Sequence, residues 1–152
     1  MGHTFYQHDA HVVFHTGWRT IRESDRARLH AYVATLAISH KVRHVVIGGT
    51  CDHIHLLGNF PLDQAPADIV RGIKANSSRW LRGLNDCYAD FAWQQGYGFF
   101  SVSASMRRIV VRYIENQERH HRKESAAVEY EKLQRLHETA VNEKEFPAIY
   151  RV

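Results

Sequence analysis

Gly48-Gly49-Thr50 separates two short runs, Val42 to Ile47 and Asp52 to Phe60, both dense in β-branched and apolar residues. A glycine turn between two such runs predicts an antiparallel hairpin. On a strand, side chains alternate between faces. Within Asp52-His-Ile-His-Leu-Leu-Gly58, His53 and His55 therefore point the same way, and Ile54 points oppositely, into a core. The hairpin thus commits the chain to a sheet with one apolar face and one face that carries two imidazoles side by side.

The remaining elements arrange themselves around that hairpin. His11-Val-Val-Phe-His-Thr16 reads as a first strand. Ser24 or Asp25 can cap a helix over Arg26 to His40, with Leu29, Tyr32, Val33, Leu36 and Ala37 as its apolar stripe. Pro66 sits at the start of a second helix, Ala67 to Leu84. Residues 85–98 are irregular, and Phe99 to Ser103 is strand-like. Ser103 or Ser105 caps a third helix through about His121, and Ala126 to about Leu136 is the last. Phe146-Pro-Ala-Ile-Tyr150 reads as a short tail. Strand, helix, strand, strand, helix, strand predicts an α+β fold of the ferredoxin-like, split βαβ type. The antiparallel sheet has helices on one face, an open face to which His53 and His55 project, and a C-terminal helical extension that carries Tyr113.

A chain of 152 residues is expected to form a single domain. No apolar run is long enough to span a bilayer, and no basic-then-apolar leader is visible, which predicts a cytoplasmic protein with no membrane partner. Cys51 and Cys87 fit neither zinc spacing nor a redox motif, so reduced thiols are expected. The net charge of +4 is unevenly placed. Arg71, Lys74, Arg79 and Arg82 fall in one stretch without an acid, while Arg107, Arg108, Arg112, Arg119, Arg122 and Lys123 surround Tyr113. Such clusters suit a polyanion such as nucleic acid, and equally suit solvated helix faces.

His-x-His is a weak pattern in a chain with 12 histidines. The pair alone suggests zinc, since imidazole suits that ion. Gln117 brings a harder amide oxygen, and His53, His55 and Gln117 together favour magnesium or manganese with open positions for phosphate and water. Tyr113 lies four residues before Gln117 and shares its helix face. A phenol with a pKa near 10 is a poor nucleophile at neutral pH. A divalent ion on the phosphodiester and nearby cations lower that barrier. His120 and His121 are equally an acid, a base, a phosphate contact or exposed residues. Phe91-Ala-Trp-Gln-Gln-Gly-Tyr-Gly-Phe-Phe-Ser-Val-Ser103 supplies aromatics that pin a loop or stack on unpaired bases.

Five segments occur together at consistent spacing: His11-Val-Val-Phe-His-Thr, Asp52-His-Ile-His-Leu-Leu, Ile73-Lys-Ala-Asn-Ser-Ser-Arg-Trp, the aromatic run Phe91 to Ser103, and Tyr113-Ile-Glu-Asn-Gln-Glu-Arg-His-His-Arg-Lys. With them the chain resembles the single-tyrosine HUH transposases, the TnpA-like enzymes of bacterial insertion sequences and their repeat-associated relatives. The resemblance runs from about residue 5 to about residue 132 and leaves a tail over about residues 133–152. It implies one HUH transposase domain over residues 1–152. It implies that His53 and His55 bind metal, that Gln117 is the additional ligand, and that Tyr113 is the nucleophile. It also implies a homodimer, with Tyr113 working in cis or in trans, and a hairpin or single-stranded DNA partner. Gly17-Trp18 departs from the basic run that relatives often carry there, leaving only Arg19, and the ending after Lys132 is unlike the expected tail.

The expected function is cleavage and rejoining of single-stranded DNA by metal-assisted transesterification through a 5′-phosphotyrosine, with Mg2+ or Mn2+. Three other readings stand beside it. One is a catalytically silent or regulatory repeat-DNA-binding protein of the same fold. The second is a water-using phosphodiesterase, and the third is a structural zinc site.

Overall fold

In a computed structural model of the chain, the described residues are 2–120 and 124–136. The elements run β1 (Asp9–His15), α1 (Glu23–Ser39), β2 (Arg43–Gly49), β3 (His53–Asn59), α2 (Pro66–Leu84), β4 (Gly98–Ser101), α3 (Arg107–Glu115), α4 (Gln117–His120) and α5 (Ala126–Leu136). The strands form one antiparallel sheet in the order β2-β3-β1-β4. This is the split βαβ arrangement expected from the sequence.

Alternation divides the sheet's side chains between two layers. Val12 and Phe14 of β1 join Ile54 and Leu56 of β3 in the main core, with Leu29 and Val33 from α1 and Ile69 and Ile73 from α2. The opposite face carries His11, Val13 and His15, and the register sets His15 across from His53 and Val13 across from His55. That face is not open. The α3 helix packs on β2 and β3, while Ala127 and Tyr130 of α5 pack with Val13 and Phe100. His53 and His55 have no solvent exposure as a result.

Gly48 is what lets α3 sit so close. A Cβ there would collide with the Ile114 carbonyl oxygen and side chain. The two glycines belong to β2, and the hairpin turns at Thr50 to Asp52, two residues later than the sequence suggested. The Thr50 N–H closes it on the His53 carbonyl at 3.2 Å.

Two helix boundaries also differ from expectation. The α1 helix starts at Glu23, so Asp25 lies within its first turn and is fully buried. There it accepts from the Tyr88 hydroxyl at 2.6 Å and from Arg22 and Arg28 at 2.8 and 2.6 Å. The long helix expected from Ser103 to His121 is divided. A 3-10 turn, Ala104–Met106, precedes α3. The helix stops at Asn116, whose N–H makes an ordinary helical bond to the Arg112 carbonyl at 3.1 Å while its Nδ2 donates to the same oxygen at 2.8 Å. A side chain that competes for a backbone acceptor is a common cause of such a stop. The expected tail at Phe146 to Tyr150 lies outside the described residues.

Candidate metal centre and nucleophile

His53, His55 and Glu129 offer ligand atoms that all lie within 4.8 Å of one another, and all three residues are buried. His55 Nε2 donates to Glu129 Oε1 at 2.8 Å, and His53 Nε2 lies 3.6 Å from the same oxygen. Gln117 Oε1 faces His53 Nε2 at 2.9 Å, and its Nε2 donates to Glu129 Oε2 at 3.2 Å. Tyr113 closes the group, its hydroxyl donating to Glu129 Oε2.

Each imidazole is held from behind. His53 Nδ1 donates to Asp52 Oδ1 at 2.7 Å, and Thr50 Oγ1 donates to the same oxygen at 3.0 Å. Burial pushes the Asp52 carboxyl up, but the hydrogen bond from His53, the charge of that ring and the Thr50 hydroxyl outweigh it and hold the carboxyl at about 2. His55 Nδ1 faces His11 Nε2 at 2.6 Å. With Nδ1 occupied on both rings, the Nε2 atoms are the ones turned toward Glu129. Ligand imidazoles are normally oriented in this way by outer partners. His15 adds a third ring, stacked on His53 at 5.7 Å. Burial, then the neighbouring His53 and His55, lowers its pKa to about 3.

Two imidazoles with a carboxylate and an amide oxygen close by form a donor set that suits a divalent ion such as Mg2+ or Mn2+. A buried carboxylate demands a partner, and the two histidines with Tyr113 and Gln117 supply it. Burial raises the Tyr113 pKa above its ordinary value, and the charge and hydrogen bond of Glu129 raise it further, with Gln117 opposing. The phenol at rest is therefore neutral.

A family described as "Transposase IS200 like" matches residues 4–117. The chain belongs to that family. It is a HUH-type enzyme, with Ile54 as the hydrophobe between the paired histidines. Its fold is shared with solved structures. One is a proposed transposase from Deinococcus radiodurans R1, at 21% identity and TM-score 0.60, covering 77% of this chain and 96% of that one. Another is a REP-associated tyrosine transposase bound to a REP hairpin, at 15% identity and TM-score 0.51, covering 76% of this chain and 71% of that one. No curated protein matches this transposase.

The transposase brings His53, His55, Tyr113 and Gln117 to one place, although Tyr113 and Gln117 now lie on either side of the Asn116 break. Glu129 was not among the residues that the sequence reading singled out. The signal was available: Ala126, Glu129, Tyr130 and Leu133 share one face of a helix, and an acid inside an apolar stripe is rarely there without a partner. His11 and His15 could likewise have been placed by strand alternation, once β1 was set beside β3.

The basic residues divide into tied and untied groups. Lys74 Nζ donates to the Gln94 and Gly96 carbonyls at 2.8 and 2.6 Å, and burial lowers its pKa to about 8. Arg82 donates to the Phe91 carbonyl at 2.7 Å, so both residues clamp the aromatic loop onto α2. Arg71 pairs with Asp68 and Arg79 is exposed; these four residues line a cleft of about 620 Å³ with Trp93 and Tyr97. Arg107 joins α3 to Asp9 of β1, at 3.3 Å, and to the His44 carbonyl. Arg108 and Arg112 are exposed on α3. The side chains of Arg119 and His120, and residues His121, Arg122 and Lys123 entirely, lie outside the described part. Among the described residues, Cys51 and Cys87 are free thiols, and no helix is long and apolar enough to cross a membrane.

Proposed function

We propose that this transposase cuts and rejoins single-stranded DNA, with Tyr113 as the nucleophile. The observation that carries the reading is the position of Glu129, whose two carboxylate oxygens contact His55 and the Tyr113 hydroxyl respectively. Nucleophile and metal-ligating face thus meet at one carboxylate.

Tyr113 Oη attacks phosphorus, and its proton goes to the adjacent Glu129 Oε2. The bond from phosphorus to the 3′ oxygen breaks, that oxygen takes a proton from solvent, and the DNA remains on Tyr113 as a 5′-phosphotyrosine. Rejoining is the reverse attack by a 3′-hydroxyl, so no external energy source is required. His53, His55, Glu129 and Gln117 would hold Mg2+ or Mn2+, which supplies Lewis-acid polarisation of the phosphate. Asp52 and His11 keep the imidazoles aimed. Exposed Arg79, Arg108 and Arg112 serve DNA phosphates, so binding falls steeply with salt. Hairpin DNA is proposed as the recognised form, as in the repeat-associated relative.

The homodimer and the cytoplasmic location are proposed from the family resemblance and composition, and residues 1–152 are proposed as one domain. Within one chain Tyr113 already reaches Glu129, so cis use of the nucleophile is favoured.

The test is a denaturing gel of the protein with Mn2+ and labelled single-stranded oligonucleotides from the DNA flanking its own gene. A protein–DNA band that requires metal and is absent in Tyr113→Phe and His53→Ala supports the reading. Cleavage that survives in Tyr113→Phe without such a band indicates hydrolysis by water. Hairpin binding with no cleavage under any metal indicates a binding protein.

A further inference from the structure

The turn that follows β1 carries an exposed indole. Trp18 is 73% exposed, although it springs from a turn tied by several backbone hydrogen bonds. The Thr16 N–H donates to the Asp52 carbonyl at 2.9 Å, and the Ile21 N–H donates to the Cys51 carbonyl at 2.8 Å. Thr16 Oγ1 donates back to the Arg19 carbonyl. From the other side the Gln94 N–H donates to the His15 carbonyl at 2.8 Å. Gly17 makes the turn possible with φ of +71°, a conformation that L side chains seldom adopt. The backbone beneath Trp18 is therefore fixed by two neighbouring loops.

The indole is also furnished with a cation. The Arg19 guanidinium carbon lies 4.5 Å from the Trp18 ring centroid. Arg19 is itself anchored, its Nε and Nη1 donating to the Asp90 and Ala92 carbonyls at 3.1 and 3.2 Å. A guanidinium held in this way stays over one face of the ring and leaves the remainder in water.

The location is specific. His15, the last residue of β1, lies opposite His53 in the sheet register. The carbonyl that receives the Thr16 N–H belongs to Asp52, whose carboxylate holds His53. The indole thus stands at the end of the sheet where the metal cluster lies, on a turn bonded to the residue that orients a ligand.

We infer that Trp18, backed by Arg19, is a stacking platform for an unpaired base of single-stranded DNA close to the scissile phosphate. The inference rests on the DNA-cleaving reading above. Every base presents a π-face, so an aromatic platform grips single strands whatever their sequence, and a positive charge beside it suits the adjoining phosphate. A fixed backbone lowers the ordering cost of such a contact. Bases in a duplex are already stacked and gain little from it.

The experiment uses the full chain in EDTA, so that cleavage plays no part, with a fluorescein-labelled single-stranded oligonucleotide of mixed sequence. Anisotropy gives Kd, and tryptophan emission is followed with an unlabelled copy of the same strand. We expect Trp18→Ala to raise Kd roughly tenfold, the scale of one lost base–aromatic stack. Trp18→Phe, which keeps a ring, should stay within about threefold of wild type. The single strand should quench wild-type emission, the quench should vanish in Trp18→Phe, and a duplex should produce little. Wild-type affinity in Trp18→Ala, or an unchanged quench in Trp18→Phe, would overturn the platform and leave the cleavage reading intact. A fall in sedimentation coefficient on Trp18→Ala would assign the indole to a second copy of the chain instead. Absence of any wild-type binding to single-stranded or hairpin DNA would overturn both readings.

Discussion

His11 Nε2 lies 2.6 Å from His55 Nδ1, with the two rings stacked at 4.9 Å between centroids. The contact fixes which nitrogen of His55 is turned toward Glu129. Losing an outer partner of this type commonly weakens metal binding by about 10–100-fold. His11→Ala should do so here, as measured by the electron paramagnetic resonance signal of free Mn2+. His11→Gln, whose amide oxygen can accept from Nδ1–H, should recover part of the affinity. Equal Mn2+ affinity in all three proteins would remove His11 from the metal site.

Glu129 is the only carboxylate within the metal-ligating group found among the described residues. Saturating Mn2+ should raise the thermal midpoint of the wild-type protein, because a ligand that binds only the folded state stabilises it. Glu129→Ala should show little or no such rise at the same concentration, and should form adduct far more slowly. An undiminished Mn2+-dependent rise would mean that His53, His55 and Gln117 hold the ion without it.

Much of this arrangement could be read in the residues before any coordinates. The alternation around Ile54 set the sheet's two faces, and the periodicities of α1 and α2 named the helices' share of the main core at Leu29, Val33, Ala37, Ile69 and Ile73. What escaped was the second layer. Helical stripes show that a helix has a buried face but not which sheet face receives it, so the histidine side was taken as open. Glu129 escaped for the same reason, since a carboxylate distant in sequence acquires its meaning only when α5 folds across β1. The Asn116 break was not read, although the apolar spacing of Ile109, Val110 and Ile114 ends just before it; the side-chain bond from Asn116 to the Arg112 carbonyl is a local event with no periodic signature.

Asp25 offers a pH test of the fold distant from the metal. The Tyr88 hydrogen bond, together with Arg22 and Arg28, outweighs burial and lowers its carboxyl from 3.8 to about 2. The folded state therefore binds the proton less readily than the unfolded state. The stabilisation is complete above about pH 4 and is lost as pH falls toward 2. Asp25→Asn should be less stable at neutral pH, and its stability should change less between pH 4 and pH 2 in urea titrations. A parallel acid limb in the two proteins would show that Asp25 does not carry this dependence.

Gly48→Ala should separate α3 from the sheet. The added Cβ meets a backbone carbonyl rather than a pliable side chain, and overpacking of this kind costs about 1–3 kcal/mol. Urea denaturation should register that loss. Adduct formation should fall further than the fraction of folded protein, because Ile114 adjoins Tyr113. Wild-type stability in Gly48→Ala would mean that α3 relaxes freely.

The burial of the cluster has a kinetic meaning. His53 and His55 have no accessible surface, Gln117 has 1% and Glu129 has 2%. A phosphodiester cannot meet ligands that water itself does not touch. On the proposed mechanism the strand reaches them only through a local opening of this cover, of which α5, seated on Val13 and Phe100, is one part. The equilibrium constant of that opening multiplies every later rate. On that mechanism the packing of Ala127 and Tyr130 sets how often the site opens, and a change there would alter the rate without altering any residue that performs the chemistry.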